Sequence, residues 1–282
     1  QRQMCIRDRL SAAVYASQKT PRSPSDIVLE VSSGMALGDL PGGAPTACWV
    51  FTNAESVRLY RGNDYIAAFS PDRHGRFAAM PHPPIEINDF VGSLLEKYEG
   101  MDPPSAQAVA AILNDMRRCA MELSPLSKAR MLSLRLSWNE VARMYCKYIG
   151  ILGSPSPVYR FEAVWHGRVV GTVVREPVQS VRLECTVHNP ILTDGPTWDC
   201  AAVSLRAIDQ NGNLLPYCGE AVCLSVEGPL KILGPSVVPL RGGMAGTYLA
   251  TTGEAGRAVL HCRMEGALDT DAVLTIRSRE NG

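Results

Sequence analysis

The period of the hydrophobic pattern changes twice along the chain, and this feature constrains the fold most. Apolar and polar residues alternate over 27–31 and 57–60, helical spacing takes over between Asn88 and Gly150, and alternation returns after Pro157. A period of two is typical of strands, and a period of 3.6 is typical of helices. The sequence therefore predicts a mainly β chain with one block of helices. It offers no strand–helix alternation from which a (β/α)₈ barrel could be built.

Two immunoglobulin-like β-sandwich domains account for this pattern. The first is predicted over 25–176, interrupted by a helical insertion at about 88–150. The second is predicted over 177–282, where about seven short strands are divided by Gly/Pro turns and by the hairpin turn at Asn211–Gly212. Residues 10–24 are expected to form the end of a helix followed by a linker.

Capping residues predict where the helices of the insertion begin. Asn88 or Asp89 can cap the first helix and Asp102 the second, and Ser124 precedes the third. Ser137 and Glu140 have the spacing of a capping box for the fourth helix.

The amino-acid composition and the spacing of the motifs argue against several classes of binding partner. The chain has 28 Lys and Arg and 28 Asp and Glu, so its net charge is zero, which argues against a nucleic-acid partner. No apolar run is long enough to cross a bilayer, and a membrane partner is not expected. Neither a metal-ligand spacing nor a phosphate-binding loop occurs, so no metal and no cofactor are predicted.

Nine cysteines are irregularly spaced and include no Cys-x-x-Cys pair. We interpret them as reduced thiols, which predicts a cytoplasmic protein. A disulfide between Cys218 and Cys223 remains the alternative.

Several motifs in a fixed order resemble the C-terminal part of a glycoside hydrolase family 2 enzyme of the β-galactosidase kind. The resemblance covers residues 10–280. The motifs are Thr52-Asn-Ala-Glu-Ser-Val-Arg-Leu-Tyr60, Met80-Pro-His-Pro-Pro84, Lys147-Tyr-Ile-Gly150, Tyr159-Arg-Phe-Glu162 and Arg241-Gly-Gly243. Residues 1–9 read like a translated sequencing adapter, so we expect an artefact at the start of a truncated gene.

The resemblance implies a retaining β-glycosidase that acts on a carbohydrate, with a galactoside as the expected substrate. In this family the acid/base and the nucleophile are glutamates on a (β/α)₈ barrel. The resemblance implies that residues 10–24 are a remnant of the last barrel helix and a linker, and that a missing barrel is the docking partner. We therefore expect an inactive fragment without catalytic residues. A homo-oligomer stays open, and so does a non-catalytic immunoglobulin-like module that binds carbohydrate or protein.

Three residues are candidates for substrate binding. His82 lies between prolines that hold its backbone extended, and the alternative role is a histidine at a domain junction. Asn53 precedes a hairpin that resembles the family, and the alternative role is a turn cap. Trp198 starts a strand and is expected to be exposed, like Trp138.

Two further residues have competing interpretations. Glu140 follows Asn139, as the acid/base of the family follows an asparagine, but the capping box explains it better. Trp49 and Trp165 sit in apolar alternation and are expected to lie in the core.

Overall fold

The computed structural model describes residues 10–35, 48–119, 122–150 and 157–278. The artefact predicted at residues 1–9 lies outside them. The described chain forms two compact units: the first unit spans Leu10–Pro177, and the second unit begins at Val178.

Two antiparallel sheets form the sandwich of the first unit. The strands are β1 (Leu29–Val31), β2 (Trp49–Thr52), β3 (Ser56–Arg61), β4 (Asp64–Phe69), β5 (Ile85–Glu86), β6 (Tyr159–Trp165) and β7 (Arg168–Arg175). One sheet has the strand order β1-β2-β5, and the other has the order β4-β3-β6-β7. Ahead of them lie helix α1 (Leu10–Ala16) and a 3₁₀ turn (Pro24–Asp26).

Four helices lie between β5 and β6, as predicted. They are α2 (Leu94–Glu99), α3 (Pro103–Arg118), α4 (Pro125–Ser133) and α5 (Trp138–Tyr148). The Asp102 carboxylate accepts from the Ser105 amide at 3.2 Å, and the Ser124 hydroxyl accepts from the Ser127 amide at 3.3 Å. These contacts satisfy amides that a helix start leaves without a partner.

The first helix begins later than predicted, at Leu94 instead of just after Asp89. The Asp89 carboxylate accepts from the amides of Val91 and Gly92 at 2.9 and 3.1 Å, which stabilises a turn. Gly92 has a φ of 50°, outside the right-handed helical region. The Asp89 side chain therefore stabilises a turn at the position where the sequence pattern predicted a helix cap.

The helices and both sheets of the first unit share one hydrophobic core. Val50 and Ile85 of one sheet, Leu59 and Phe161 of the other and Leu113 of α3 are all at most 1% exposed and belong to one cluster. The insertion is thus part of the core of the unit, since burial of an apolar helix face is what stabilises most helices in proteins.

A β-bulge in the first unit changes the predicted orientation of a tryptophan. Tyr159, Phe161 and Ala163 are buried on one face of β6, the face on which alternation would also place Trp165. The register shifts between Ala163 and Val164, so Val164 is buried next and Trp165 is only half-buried. An extra residue in one strand switches the faces of those that follow, which alternation alone does not reveal.

The second unit also consists of two sheets. Their strands are β8 (Arg182–Val187), β9 (Ile191–Asp194), β10 (Cys200–Ile208), β11 (Ala221–Glu227), β12 (Leu230–Ile232), β13 (Val237–Pro239), β14 (Met244–Thr251), β15 (Gly256–Met264) and β16 (Thr270–Ser278). The strand orders are β12-β14-β10-β8 and β13-β11-β15-β16-β9. β9 pairs with β16 in parallel, and the other pairs are antiparallel. The sheets enclose a core that includes Val203, Leu249 and Leu260.

The predicted fold class, mainly β with a helical insertion and with β-sandwich domains, is confirmed. The strands β5, β9 and β13 were not predicted, because they are two to four residues long and offer little alternation. Among the described residues, the helices are too short or too polar to cross a membrane.

Candidate functional site

Asn53 joins three backbone segments of the first unit. Its side-chain oxygen accepts from the Val28 amide at 2.8 Å, and its nitrogen donates to the carbonyl oxygens of Lys19 and Asp26 at 2.9 and 3.0 Å. The side chain is buried, with 3% exposure. Both amide hydrogens are therefore used within the protein, and a buried amide of this kind is a structural tie. Its predicted contact with a sugar remains a prediction.

His82 is held through its backbone. The His82 amide donates to the Gln18 side-chain oxygen at 3.0 Å, and the Gln18 side-chain nitrogen donates to the His82 carbonyl oxygen at 2.9 Å. The imidazole is half-buried and makes no hydrogen bond to the described residues. Burial, and then the charge of Arg73, lowers the pKa of His82, so the ring is neutral near pH 7. Its role in substrate binding likewise remains a prediction.

These two residues hold the same piece of chain, which we call the anchoring segment, residues 17–26. Gln18 ties one end of it to residue 82, and Asn53 ties both Lys19 and Asp26 to the end of β2. Asp26 closes the segment on itself by accepting from the amides of Arg22 and Ser23 at 3.0 and 3.2 Å. The linker predicted at residues 20–24 is thus fixed to the sandwich.

Trp198 lies in the second unit, immediately before β10. Its side chain is 58% exposed, as predicted. The neighbouring Asp199 carboxylate accepts from the amides of Thr193 and Cys200 at 3.0 and 2.8 Å. The ring is accessible on a held backbone, and substrate contact by Trp198 stays a prediction.

A cavity of about 810 Å³ in the first unit lies among the helices of the insertion. We call it the helical cavity. Its walls include three acidic residues, Asp89, Glu96 and Asp115. A retaining glycosidase requires a pair of carboxyl groups that face each other across such a cleft. The hydrogen bonds and pKa values of these three carboxyl groups therefore decide whether the cavity has the chemistry for hydrolysis.

Two of these carboxylates are engaged in holding the fold. Asp89 accepts from two backbone amides and from the Asn114 side chain, the latter at 2.7 Å. Asp115 accepts from the Ser127 hydroxyl at 2.6 Å and the Ser124 amide at 3.2 Å. Burial on its own would raise the pKa of Asp115, but the hydrogen bonds from Ser124 and Ser127 outweigh it and lower the pKa. A general acid needs the opposite shift.

Glu140 forms the predicted capping box. Its carboxylate accepts from the Ser137 amide at 2.8 Å, and the Ser137 hydroxyl accepts from the Glu140 amide at 3.3 Å. The hydrogen bonds from Ser137 lower the pKa of Glu140. Glu140 is therefore a helix cap, with the wrong ionisation for a proton donor.

A second cavity of the first unit, of about 390 Å³, lies beside Pro83 and Pro84. We call it the aromatic cavity. Three half-buried rings line it, those of Trp49, Phe69 and Phe77. Trp49 and Phe77 meet edge to face, with their centroids 5.8 Å apart. Charged and polar groups complete the lining, including Asp72, Arg76, Glu86 and Asn88.

The prediction that Trp49 belongs to the core is therefore inaccurate. Cys48 and Val50 are fully buried, whereas Trp49 between them is half-buried on the other face of β2. Reading this run with a period of two would have placed Trp49 away from the core. Phe77 follows no such pattern, because it lies in the connection between β4 and β5.

A metal centre finds no support in the described residues, where no group of three or more His, Cys, Asp or Glu side chains is arranged to hold an ion. Eight described cysteines are free thiols, among them Cys218 and Cys223.

No family model matches the chain. The β-galactosidase of Rhizobium meliloti is 27% identical over 262 residues, which are 92% of this chain and 27% of that protein. The β-galactosidase of Thermoanaerobacter pseudethanolicus is 24% identical over 217 residues, which are 76% of this chain and 22% of that protein. The β-galactosidase of Rhizobium radiobacter is 41% identical over 70 residues, 24% of this chain and 51% of that protein.

The solved structures agree on the fold. A β-glucuronidase from glycoside hydrolase family 2 matches 96% of this chain with 22% of its own length, at a TM-score of 0.52 and 12% identity. A β-glycosidase from Bacteroides vulgatus matches 88% of this chain with 24% of its own, also at a TM-score of 0.52, with 11% identity. The resemblance to the C-terminal β-domains of glycoside hydrolase family 2 is confirmed. The chain spans 22–51% of the length of the three β-galactosidases.

Proposed function

We propose that this chain supplies non-catalytic β-domains of a retaining glycosidase that hydrolyses O-glycosyl bonds, with a β-galactoside as substrate. The observation that carries the proposal is the match of 92% of the chain to 27% of a β-galactosidase. Both units of the chain are β-sandwiches, which serve as scaffolds in many proteins.

The ionisation of the acidic residues supports a non-catalytic role. Retaining hydrolysis needs two carboxyl groups roughly 5–5.5 Å apart, one of them protonated at the start. The Asp89 and Asp115 carboxylates accept hydrogen bonds that hold the insertion, and Glu140 caps a helix. We infer that the two catalytic glutamates belong to a barrel that this chain supports.

The anchoring segment supports a barrel as the docking partner. Through the resemblance, residues 10–24 correspond to the end of the last barrel helix and the linker after it. Asn53 and Gln18 fix this stretch to the first sandwich. We propose that these ties set the position of the barrel relative to the sandwich. Self-association of the chain stays a prediction.

We also propose a cytoplasmic location. The eight free thiols among the described residues support it, because thiols persist in reducing compartments. The Cys185 and Cys262 thiols lie close enough for Cys262 to lower the pKa of Cys185 and for Cys185 to raise that of Cys262, and both are free.

A chimera tests the proposal. The segment of the Rhizobium meliloti β-galactosidase that matches this chain is replaced by residues 10–282, and hydrolysis of an aryl β-galactoside is measured. We expect the chimera to hydrolyse the substrate and the variant with the segment deleted to lose activity. A chimera that is folded by circular dichroism but as inactive as the deletion variant would contradict the proposal.

A second candidate function is a non-catalytic module that binds carbohydrate or protein. One observation favours its carbohydrate form, namely the ring-lined wall of the aromatic cavity.

A further inference from the structure

We propose that the aromatic cavity is a binding site for an uncharged sugar ring. The proposal specifies the second candidate function and does not depend on the chain being part of a hydrolase. It rests on the shape of the cavity, on the pairing of its rings with polar groups and on its charge.

The shape fits a small ligand. Sites for small molecules occupy roughly 300–1,000 Å³. At about 390 Å³, the aromatic cavity lies near the lower end of that range, which favours a mono- or disaccharide over a longer chain.

The rings supply the surface that a sugar needs. One side of a pyranose ring is a row of C–H groups, which pack against the face of an aromatic ring. The edge-to-face contact of Trp49 with Phe77 holds the two rings at 90°, so that they form a corner. Arg76 lies 5.4 Å from the centroid of the Phe77 ring and further limits its movement.

Polar groups stand beside the rings. Trp49 and Glu86 are directly opposite each other in the antiparallel pair β2–β5, so their side chains leave the sheet on the same face. The Glu86 carboxylate and the Asn88 amide make no hydrogen bonds or ion pairs with the described residues. They are free to bind sugar hydroxyl groups next to the indole ring.

The charge of the lining argues for a neutral ligand. Asp72 and Glu86 are acidic and Arg76 is basic, so the lining carries a net negative charge. An anionic ligand such as a uronate or a phosphate is repelled by this surface, whereas a neutral sugar is not.

The backbone around the cavity is held firmly. The Gln18 side chain makes two hydrogen bonds to the backbone of His82, next to Pro83 and Pro84. The Ile87 amide donates to the Cys48 carbonyl oxygen at 2.9 Å. Both prolines are buried. The sugar would therefore meet a preformed wall, which lowers the entropy cost of binding.

The indole N–H signals in a ¹⁵N-labelled sample of the full chain provide the test. The chain has four tryptophans, and Trp49→Phe assigns the signal of Trp49. Methyl β-galactoside, lactose and cellobiose are titrated in turn, with methyl β-glucuronide as the charged counterpart. We expect a saturable shift of the Trp49 signal with at least one neutral sugar, and weaker binding of the glucuronide.

Substitutions locate the site. Phe77→Ala and Glu86→Ala should each weaken binding about fivefold, in line with the loss of one ring contact or one hydrogen bond. Trp138→Ala and Glu96→Ala are the matched controls and should leave binding unchanged, because Trp138 lies exposed at the start of α5 and Glu96 lies on the helical cavity. Trp198→Ala tests whether the sugar binds instead at the candidate residue of the second unit.

Two results would overturn the proposal: no saturable binding of any of these neutral sugars to the folded chain, or binding that persists in Phe77→Ala and Glu86→Ala but is lost in Trp198→Ala. If Trp49→Phe does not fold, the other two variants still decide. Binding without hydrolysis leaves the first proposed function intact, and failure of the chimera leaves this site intact.

Discussion

At the scale of single residues, buried polar side chains tie the first unit together. Asn53 is the clearest case, since its amide joins the backbone at Lys19, Asp26 and Val28. The sequence places Asn53 before a hairpin and suggests a turn cap. It does not reveal the partners, because they lie 25 to 34 residues away along the chain.

Asn53→Ala should destabilise the first unit by about 3 kcal/mol, because it removes the three hydrogen bonds that this buried side chain makes, each of which contributes about 1 kcal/mol. Urea unfolding measures the change, and hydrogen exchange at the Val28 amide should become faster. Asn63→Ala, in the exposed turn between β3 and β4, is the control and should change the free energy of unfolding by less than about 0.5 kcal/mol. Equal changes in the free energy of unfolding for the two variants would show that the hydrogen bonds of Asn53 do not stabilise the first unit.

The ionisation of Glu99 allows a prediction of how the stability of the first unit depends on pH. It accepts from Lys147 at 2.7 Å and from the Tyr148 hydroxyl at 2.8 Å, and these hydrogen bonds lower its pKa from 4.5. A carboxyl group with a lowered pKa in the folded state stabilises the fold above its unfolded pKa, and this contribution is lost as the pH falls through the folded pKa.

The first unit should therefore lose stability when the pH falls below about 4.5. Glu99→Gln should be less stable than the parent at pH 7 and should lose less on acidification. Urea midpoints at pH 7 and pH 3.5 measure both effects. Glu96→Gln, in the same helix, is the control, since Glu96 makes no hydrogen bond or ion pair with the described residues. Parallel pH profiles for the parent and Glu99→Gln would refute this account.

At the scale of elements, the sequence predicted the features that depend only on neighbouring residues, namely the helix caps. The caps at Asp102, Ser124 and Ser137 were read from the sequence, because a cap needs only its own first turn. The start of α2 and the orientation of Trp165 were not. The former depends on a turn formed by Asp89, and the latter on a bulge whose position is set by the pairing of β6 with β7.

The glycine pair before β14 gives a prediction at this scale. Gly242 and Gly243 have φ values of 65° and 75°, in the left-handed region that favours glycine. A Cβ atom on Gly242 would meet nothing within 4 Å, whereas one on Gly243 would collide with the Leu215 carbonyl oxygen.

Gly242→Ala should cost about 1–2 kcal/mol, the usual cost of the left-handed conformation. Gly243→Ala should cost more, since the backbone must also shift. Thermal or urea unfolding of the two variants provides the comparison. Equal destabilisation would mean that the Leu215 contact does not constrain the turn.

At the scale of the whole molecule, the period of the hydrophobic pattern was enough to predict a mainly β fold with inserted helices. It could not predict the aromatic cavity. The rings of Trp49, Phe69 and Phe77 come from β2, from the end of β4 and from the connection after it, and only the folded unit brings them together. Long-range contacts of this kind leave no mark on a local pattern.

We propose that the described β-domains act as a scaffold and do not cleave a glycosidic bond by themselves. The initial rate at which the purified 282-residue chain hydrolyses an aryl β-galactoside, from pH 4 to pH 8, tests this directly. The background is the same preparation from cells without the gene, and we expect no turnover above it. Saturable turnover by the chain, abolished by Asp89→Asn, Asp115→Asn or Glu140→Gln, would contradict it.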